Sequence, residues 1–343
     1  MGFEKVSFED TLKKDVVAPG KCVGCGICVI VCPFRCLEYV QGKPMLIEEC
    51  KTCGICAQVC PQYERSLQKA ENFVFDRNRE ATEEFGIYSR FIAAKAENPR
   101  ILMTCQDGGV ATALLSFGLE KGFVDAAIVS GLSEDRPFCP EPKLAATSQE
   151  ILQCAGTRYT YSPNILVLPE SISQKKSKIA FVGTPCQILA VRKLQMLGLK
   201  KYSAPLKILI GLMCSECFTY EGLMKKHIQQ ELGISLKSIK KMNIKGKMFV
   251  TTESKIETIS LSEAKQYARK SCRLCSDFSS ELADISIGGL GLEGWTFTII
   301  RTRKGEELFR KAEEAGVLKT KEISEEAYAL KLLRKLSKKK RVR

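Results

Sequence analysis

The sequence predicts an α/β protein made of a small cysteine-built module and a larger mixed α/β body. Three observations predict it. A doubled cysteine string stands near the start, Cys22-x2-Cys25-x2-Cys28-x3-Cys32-Pro33 and then Cys50-x2-Cys53-x2-Cys56-x3-Cys60-Pro61. Beyond residue 100, short apolar strand patterns alternate with helical periodicity. Between the two lies a polar, charged stretch from Ser66 to Arg90, which reads as a linker. A length of 343 residues suits about two domains, and 45% hydrophobic residues are enough for a real core. The expected boundaries are 1–75 for the module, 76–322 for the body and 323–343 for a basic terminal helix or tail. No run approaches the ~18 apolar residues of a membrane span.

Each cysteine string has the spacing of the bacterial ferredoxin run, so a ferredoxin-like domain with two [4Fe–4S] clusters is implied. The fourth cysteine of such a run ligates the other cluster. That assigns Cys22, Cys25, Cys28 and Cys60 to one cluster, and Cys50, Cys53, Cys56 and Cys32 to the second. Two-residue gaps let a tight loop wrap three thiolates around one cubane, and Gly24, Gly26 and Gly54 suit backbone that passes close to sulfide. A zinc site would use separated cysteine pairs and rarely takes this proline-terminated form. Disulfides need an oxidising compartment, whereas Met1 leads into the charged MGFEKVSFEDTLKKD with no apolar signal segment. The expected location is cytoplasmic, or peripheral on the cytoplasmic face of a membrane through a partner complex.

In the body, Ile101–Cys105 reads as a strand, Gly109–Gly118 as a helix and Ala126–Ser130 as the next strand. Thr147-Ser-Gln-Glu150 is a capping box with a short helix after it. Lys178–Val182 and Lys207–Ile210 are short apolar strands with the helical Gln187–Leu197 between them. Thr219–Leu232 reads as an amphipathic helix carrying the single histidine, His227, for which a surface or packing role is expected.

Two turns in this pattern carry chemistry. Gln106-Asp107-Gly108-Gly109-Val110 falls where a strand gives way to a helix, so free N–H groups and absent side chains would admit phosphate or a flavin edge. There is no G-x-G-x-x-G opening a βαβ unit, and a nicotinamide site is not expected. Gly183-Thr184-Pro185-Cys186-Gln187 places Thr184 as a cap, Pro185 at the first helical position and Cys186 at the helix N-terminus, where the dipole favours thiolate. The double run leaves nine of the seventeen cysteines unused. Cys186, Cys214, Cys272 and Cys275, each beside the end of an element, would make a third [4Fe–4S] site.

The chain carries 53 Lys and Arg against 39 Asp and Glu, a formal charge of +14. Such an excess favours an anionic partner: a polyanionic coenzyme, an acidic protein or a membrane surface. Neither aromatic stacking residues nor a nucleic-acid-binding motif accompanies it, so no nucleic acid is expected. Much of the excess lies between Lys331 and Arg343, which reads equally as a solvated, frayed tail and as a docking element.

The segments GTPCQ, GLMC, CRLCSDF, ADISIGG and GWTFTIIRTRKG, with QDGGVATALL ahead of them, resemble the family of coenzyme F420 hydrogenase/dehydrogenase beta subunits. They stand in the family's order across most of residues 85–310. The fused two-cluster domain makes the arrangement most similar to the input subunits of F420H2 dehydrogenases of archaeal methanogenesis or respiration. The resemblance implies an iron–sulfur flavoprotein that oxidises reduced coenzyme F420 by hydride transfer to FAD. Electrons would then pass singly through the body cluster and the two ferredoxin clusters to protein subunits, such as those of a membrane respiratory complex. The implied flavin-contacting residues are Gln106, Asp107, Gly108, Gly109 and Val110, then Gly156, Thr157, Arg158 and Tyr159, and the Gly288-Gly289 turn. Cys186, Cys214, Cys272 and Cys275 match the family's cysteine-bearing motifs, and Cys217 stands where a noncysteine residue is expected, which leaves it as an alternate ligand.

Cys36, Cys105, Cys139 and Cys154 read as small hydrophobes. No catalytic acid or base is required, because the cofactors perform the bond changes. Arg158, Arg269 and Lys270 are candidates to capture the phosphate and polyglutamate of the coenzyme. A subunit of another F420-linked complex remains open, serving a hydrogenase, formate dehydrogenase, sulfite reductase, glutamate synthase or ferredoxin:F420 oxidoreductase. So does a non-catalytic polyferredoxin carrier, although that would leave the body's glycine turns and cysteines unused.

Overall fold

A computed structural model describes residues 5–324 and 327–342. The start of the charged N-terminal stretch and Arg343 of the basic tail lie outside the described residues. Among those described, no helix is long and apolar enough to cross a membrane.

The cysteine module packs around a helix, Glu9–Val17, whose Leu12 and Val16 join Phe8 against Cys28, Cys56 and Ala57. Two short helices, Ile27–Ile30 and Ile55–Val59, each start from a left-handed glycine, Gly26 at φ 79° and Gly54 at φ 70°. A side chain at either position would be strained, which is why the runs place glycine there. A hairpin of β1 (Leu37–Val40) and β2 (Lys43–Leu46) closes the module.

The stretch read as a linker is instead partly helical. Ser66 accepts a hydrogen bond from the Lys69 N–H at 3.3 Å and caps the helix Leu67–Phe75. Its narrow apolar stripe sets Ala70 against the body, and the buried Glu71 pairs with Arg79. A polar composition therefore conceals a docked element.

The body is an eight-stranded mixed sheet. Its strands are β3 (Arg90–Ala96), β4 (Ala126–Leu132), β5 (Pro140–Ala145), β6 (Ile179–Gly183), β7 (Leu206–Leu212), β11 (Ile285–Gly288), β12 (Thr296–Ile300) and β13 (Leu318–Lys321). The order is β13-β3-β12-β11-β7-β6-β4-β5. The central run β11-β7-β6-β4 is parallel, and β5 on one side and β12, β3 and β13 on the other are joined antiparallel. The parallel strands are almost wholly apolar, as strands buried on both faces must be. A separate three-stranded sheet, β8 (Ile239–Lys245), β9 (Lys247–Thr252) and β10 (Ile256–Ile259), packs with the helix Tyr220–Glu231.

Most of the predicted elements form, with shifted ends. The capping box at Thr147 has both of its hydrogen bonds, and the helix Val110–Glu120 starts from Gly109 at φ 73°. Ile101–Cys105 does not form a strand. Asn98 accepts from the Arg100 N–H at 2.9 Å and Pro99 sits in the first turn, which starts a helix over Pro99–Thr104 despite its apolar run. His227 has a packing role: its Nδ1 lies 2.6 Å from Glu231 Oε2 and its ring tilts against Tyr267.

The terminal basic segment is not a frayed tail. Tyr328–Arg341 is a helix whose Leu330 and Leu333 are fully buried against Phe85, Phe278 and Phe297, while Arg341 pairs with Glu281 at 2.9 Å.

A buried carboxylate joins the central strands. Asp284, just before β11, accepts from the Leu209 N–H of β7 at 2.7 Å, from Arg192 at 2.9 Å and from the Thr302 hydroxyl at 2.7 Å. Removing its charge would leave the Arg192 guanidinium buried without its counter-ion. Asp284→Asn is expected to cost ~3–5 kcal/mol, in the range for breaking a buried pair. Thermal and denaturant unfolding check it, and an unchanged midpoint would show that the pair anchors nothing.

Candidate iron–sulfur and flavin site

None of the seventeen cysteines is joined to another by a disulfide. In the module they fall into two groups. The charges that reach Cys25 and Cys28 include those of Cys22 and Cys60, while those reaching Cys56 come from Cys53, Cys50 and Cys32. Cys22, Cys25, Cys28 and Cys60 thus lie near one another, and Cys32, Cys50, Cys53 and Cys56 line a common cavity, with Cys56 also close enough to Cys28 to influence it. Burial, reinforced by neighbouring cysteines, pushes the Cys25 and Cys28 thiols well up, and raises Cys56 to about 12 and Cys60 to about 11. Crowded, desolvated thiols of this kind are a poor arrangement for free thiolates and a fitting one for iron, which binds them deprotonated. Cys36, read as a plain hydrophobe, adjoins the second group through Cys32 and Cys50.

The third group collects at the carboxyl ends of the parallel strands, where open α/β sheets place their ligands. Cys186 is in the first turn of the helix Pro185–Met196 that follows β6. Thr184 stands at the N-cap but its side chain makes no capping hydrogen bond, and its hydroxyl lies 3.3 Å from Cys186 Sγ instead. Cys214 follows β7, and Cys272 and Cys275 lie in and just after the short helix Lys270–Leu274. Burial, with the charges of Cys275, Cys214 and Cys272, raises Cys186 to about 12. Cys217 belongs to the same group: its Sγ is 3.9 Å from Cys214 Sγ and its N–H donates to Cys272 Sγ at 3.4 Å. Lys340 of the terminal helix is buried, and its ammonium favours the thiolates of Cys214, Cys272 and Cys275. That contribution from the end of the chain had no counterpart in the motifs.

The three glycine-bearing stretches also converge. Gly108 donates its N–H to Thr296 Oγ1 at 3.0 Å, and a Cβ on it would lie 2.5 Å from the Ala94 carbonyl. A Cβ on Gly289 would lie 2.4 Å from the Asp107 carboxylate, and on Gly156 3.4 Å from the Thr104 carbonyl. Burial, then the Asp107 charge, raises the phenol of Tyr159. Lys241 Nζ donates to the Cys105 and Gln106 carbonyls at 3.1 and 3.2 Å, and Cys105 Sγ donates to the Asp107 carbonyl at 2.9 Å. Both side-chain amide atoms of Gln106 are buried without a hydrogen-bond partner. An unpaired buried amide beside glycine backbone fits a polar ligand such as a flavin ring edge. Met213 joins this cradle to the third group: a Cβ on Gly288 would lie 2.6 Å from its Sδ, and Cys214 is the next residue.

Of the cationic candidates for coenzyme capture, only Lys270 is exposed. Arg158 donates to its own loop, at the Cys154 and Gly156 carbonyls. Arg269 turns inward and donates to the Val23 carbonyl of the module. The module is docked by further contacts of this type. Lys193 Nζ donates to the Cys60 and Tyr63 carbonyls at 2.7 and 2.8 Å, Tyr202 to Ile30 at 2.7 Å, and Arg65 to Ser276 at 2.8 Å. Cys60 and the Cys22–Cys25 loop thereby face the body.

Residues 91–169 match the N-terminal domain of the coenzyme F420 hydrogenase/dehydrogenase beta subunit, residues 176–326 match its C-terminal domain, and residues 15–38 match a 4Fe-4S binding domain. The coenzyme F420 hydrogenase beta subunit of Methanosarcina barkeri is 41% identical over 264 residues, covering 74% of this chain and 89% of the relative. The chain belongs to the family of coenzyme F420 hydrogenase/dehydrogenase beta subunits.

Within the family, a chain of the F420-reducing [NiFe] hydrogenase complex of M. barkeri superposes with a TM-score of 0.72 at 39% identity, covering 76% of this chain and 91% of that one. A subunit of the F(420)H(2) dehydrogenase of Methanosarcina mazei is 28% identical over 304 residues, 86% of this chain and 83% of the relative. The coenzyme F420-dependent sulfite reductase of Methanocaldococcus jannaschii is 33% identical over 93% of this chain, which spans half of that longer protein.

Anaerobically prepared protein is expected to carry about twelve irons per chain, falling to about eight in Cys186→Ser. Iron analysis with EPR spectra checks it, and a spectrum that Cys186→Ser leaves unchanged would remove the third cluster. Gln106→Leu should leave the unliganded fold as stable as before, because the amide has no partner to lose, yet weaken FAD retention about tenfold. Equilibrium flavin binding with iron content held constant is the measurement.

Proposed function

We propose that this chain is the electron-input subunit of a larger complex, taking electrons from reduced coenzyme F420 and handing them singly to a partner subunit. One observation carries the reading. The Gln106–Gly109 and Gly288-Gly289 cradle abuts Met213, the residue before Cys214 of the third group, so the place for a two-electron carrier adjoins the place for a one-electron carrier. FAD, when bound, accepts hydride from the deazaflavin and releases the electrons one at a time to clusters.

The chain's own residues position and insulate. Gln106 would orient the ring edge with its free amide, and Lys241 braces the loop by binding two of its carbonyls. The Asp107 carboxylate lies against Gly289, where a Cβ would clash with it, and burial raises its carboxyl. Cys186, Cys214, Cys272 and Cys275 would hold the third [4Fe–4S] cluster, with Cys217 adjacent. Because Cys60 and the Cys22–Cys25 loop face the body, Cys22, Cys25, Cys28 and Cys60 would hold the cluster nearer the third group, and Cys32, Cys50, Cys53 and Cys56 would hold the one that carries electrons outward. A membrane respiratory complex is the proposed acceptor on the strength of the sequence resemblance, and the relative that is a subunit of an F(420)H(2) dehydrogenase supports the dehydrogenase part of that reading. The sulfite-reductase relative, which aligns with 93% of this chain, favours a second reading in which a reductase is the acceptor.

The FAD-loaded chain should oxidise reduced coenzyme F420 and reduce an artificial one-electron acceptor, with NADH a poor donor because no dinucleotide fingerprint is present. Cys186→Ser and Cys272→Ser should still permit flavin reduction but slow transfer beyond it. Stopped-flow absorbance separates the two steps. Flavin that NADH reduces readily and the deazaflavin does not would overturn the assignment.

A further inference from the structure

Arg269 lies between two of the three cysteine groups and is held from both sides. Its main chain belongs to the third group: the N–H donates to the Cys217 carbonyl at 3.0 Å, and the carbonyl accepts from the Cys272 N–H at 3.0 Å. Its side chain belongs to the first, since Nη1 donates at 2.9 Å to Val23, between Cys22 and Cys25. Gly24 makes room for the fork, because a Cβ there would lie 2.8 Å from Nη2. Midway, the guanidinium carbon stands 4.1 Å from the centre of the Tyr161 ring. The Tyr161 hydroxyl is buried without a hydrogen-bond partner, and after burial the two largest influences on it are the charges of Cys186 and Cys25, one from each group. Arg269 in turn favours the thiolates of both Cys22 and Cys272.

We propose that the stacked Arg269–Tyr161 pair is the bridge between the third cluster and the first ferredoxin cluster. In this arrangement the guanidinium raises the reduction potential of both clusters, and the Tyr161 hydroxyl donates to a cluster sulfur. The inference rests on the reading that both groups hold [4Fe–4S] clusters. Adding an electron to a cluster adds a negative charge, and a fixed cation close to two clusters stabilises the reduced form of each. Arginine suits the position because it stays charged when buried, stacks on an aromatic face and spreads its donors in a planar fork. A hydrogen bond to sulfur acts in the same direction. The cluster of Cys32, Cys50, Cys53 and Cys56 lies beyond this contact and should not sense it.

The test uses the full-length, cluster-loaded protein and follows each cluster by EPR during a redox titration, with Cys186→Ser identifying the third cluster's signal. Arg269→Met is expected to shift two of the three midpoints to more negative potential and leave the remaining one in place. Tyr161→Phe, which keeps the ring and removes only the hydroxyl, should lower at least one of the same two by a smaller amount. If Arg269→Met fails to load its iron, Tyr161→Phe decides alone. Midpoints that stay put in a fully loaded variant, or that all move together, would overturn the bridge. Wild-type protein lacking the third signal would instead refute the cluster reading on which the bridge rests.

Discussion

The buried Asp284–Arg192 pair is the constraint on which the candidate site depends. Asp284 immediately precedes β11, its carboxylate reaches the Leu209 amide of β7, and Arg192 belongs to the helix that carries Cys186 in its first turn. One carboxylate therefore sets the relative positions of three strand or helix ends. Those ends carry Cys214, the Gly288-Gly289 turn and Cys186. A buried pair of this kind stabilises little against an apolar replacement, but its loss would leave an uncompensated charge, so it specifies one arrangement of the core.

Electrostatics also explains how part of the charge excess is used. The sequence pattern left the cations near the C-terminus open between a solvated tail and a docking element, and that segment folds back as a helix. It buries Lys340 near the third cysteine group and pairs Arg341 with Glu281. Arg269 and Lys193 likewise reach from the body to the cysteine module. Clusters held by thiolates carry net negative charge, and buried cations beside them offset the cost of desolvating that charge. The same contacts fix which cysteine group of the module faces the body. Docking and the order of the groups thus follow from one set of interactions.

The ferredoxin-type runs were legible because their chemistry is local. Two-residue gaps and left-handed glycines at 26 and 54 determine the loop around three cysteines whatever the rest of the chain does. The turn at Gly183–Gln187 was legible for a related reason, since a strand end followed by a helix start is a short-range pattern; Gly109 does start a helix, but a helix and not the expected strand precedes that turn. Ile101–Cys105 was misread where apolar periodicity competed with the Asn98-Pro99 start signal, and Ser66–Arg90 where one narrow apolar stripe was enough to dock a helix.

Sequence by itself determined which residue types could hold iron and approximately where the strands and turns would fall, because spacing and periodicity act over a few residues. Only the tertiary structure decided that Cys217 and Cys36 stand beside the predicted ligand groups, that Lys340 reaches the third group, and that Arg269 meets Val23 from 246 positions away. Arg269 and Lys340 come from segments that share no local pattern with the cysteines they influence, and Cys217 meets Cys272 across 55 positions. These contacts exist because the sheet, the terminal helix and the docked module bring distant side chains into a common region of low polarity, where charge and hydrogen bonding must be satisfied together.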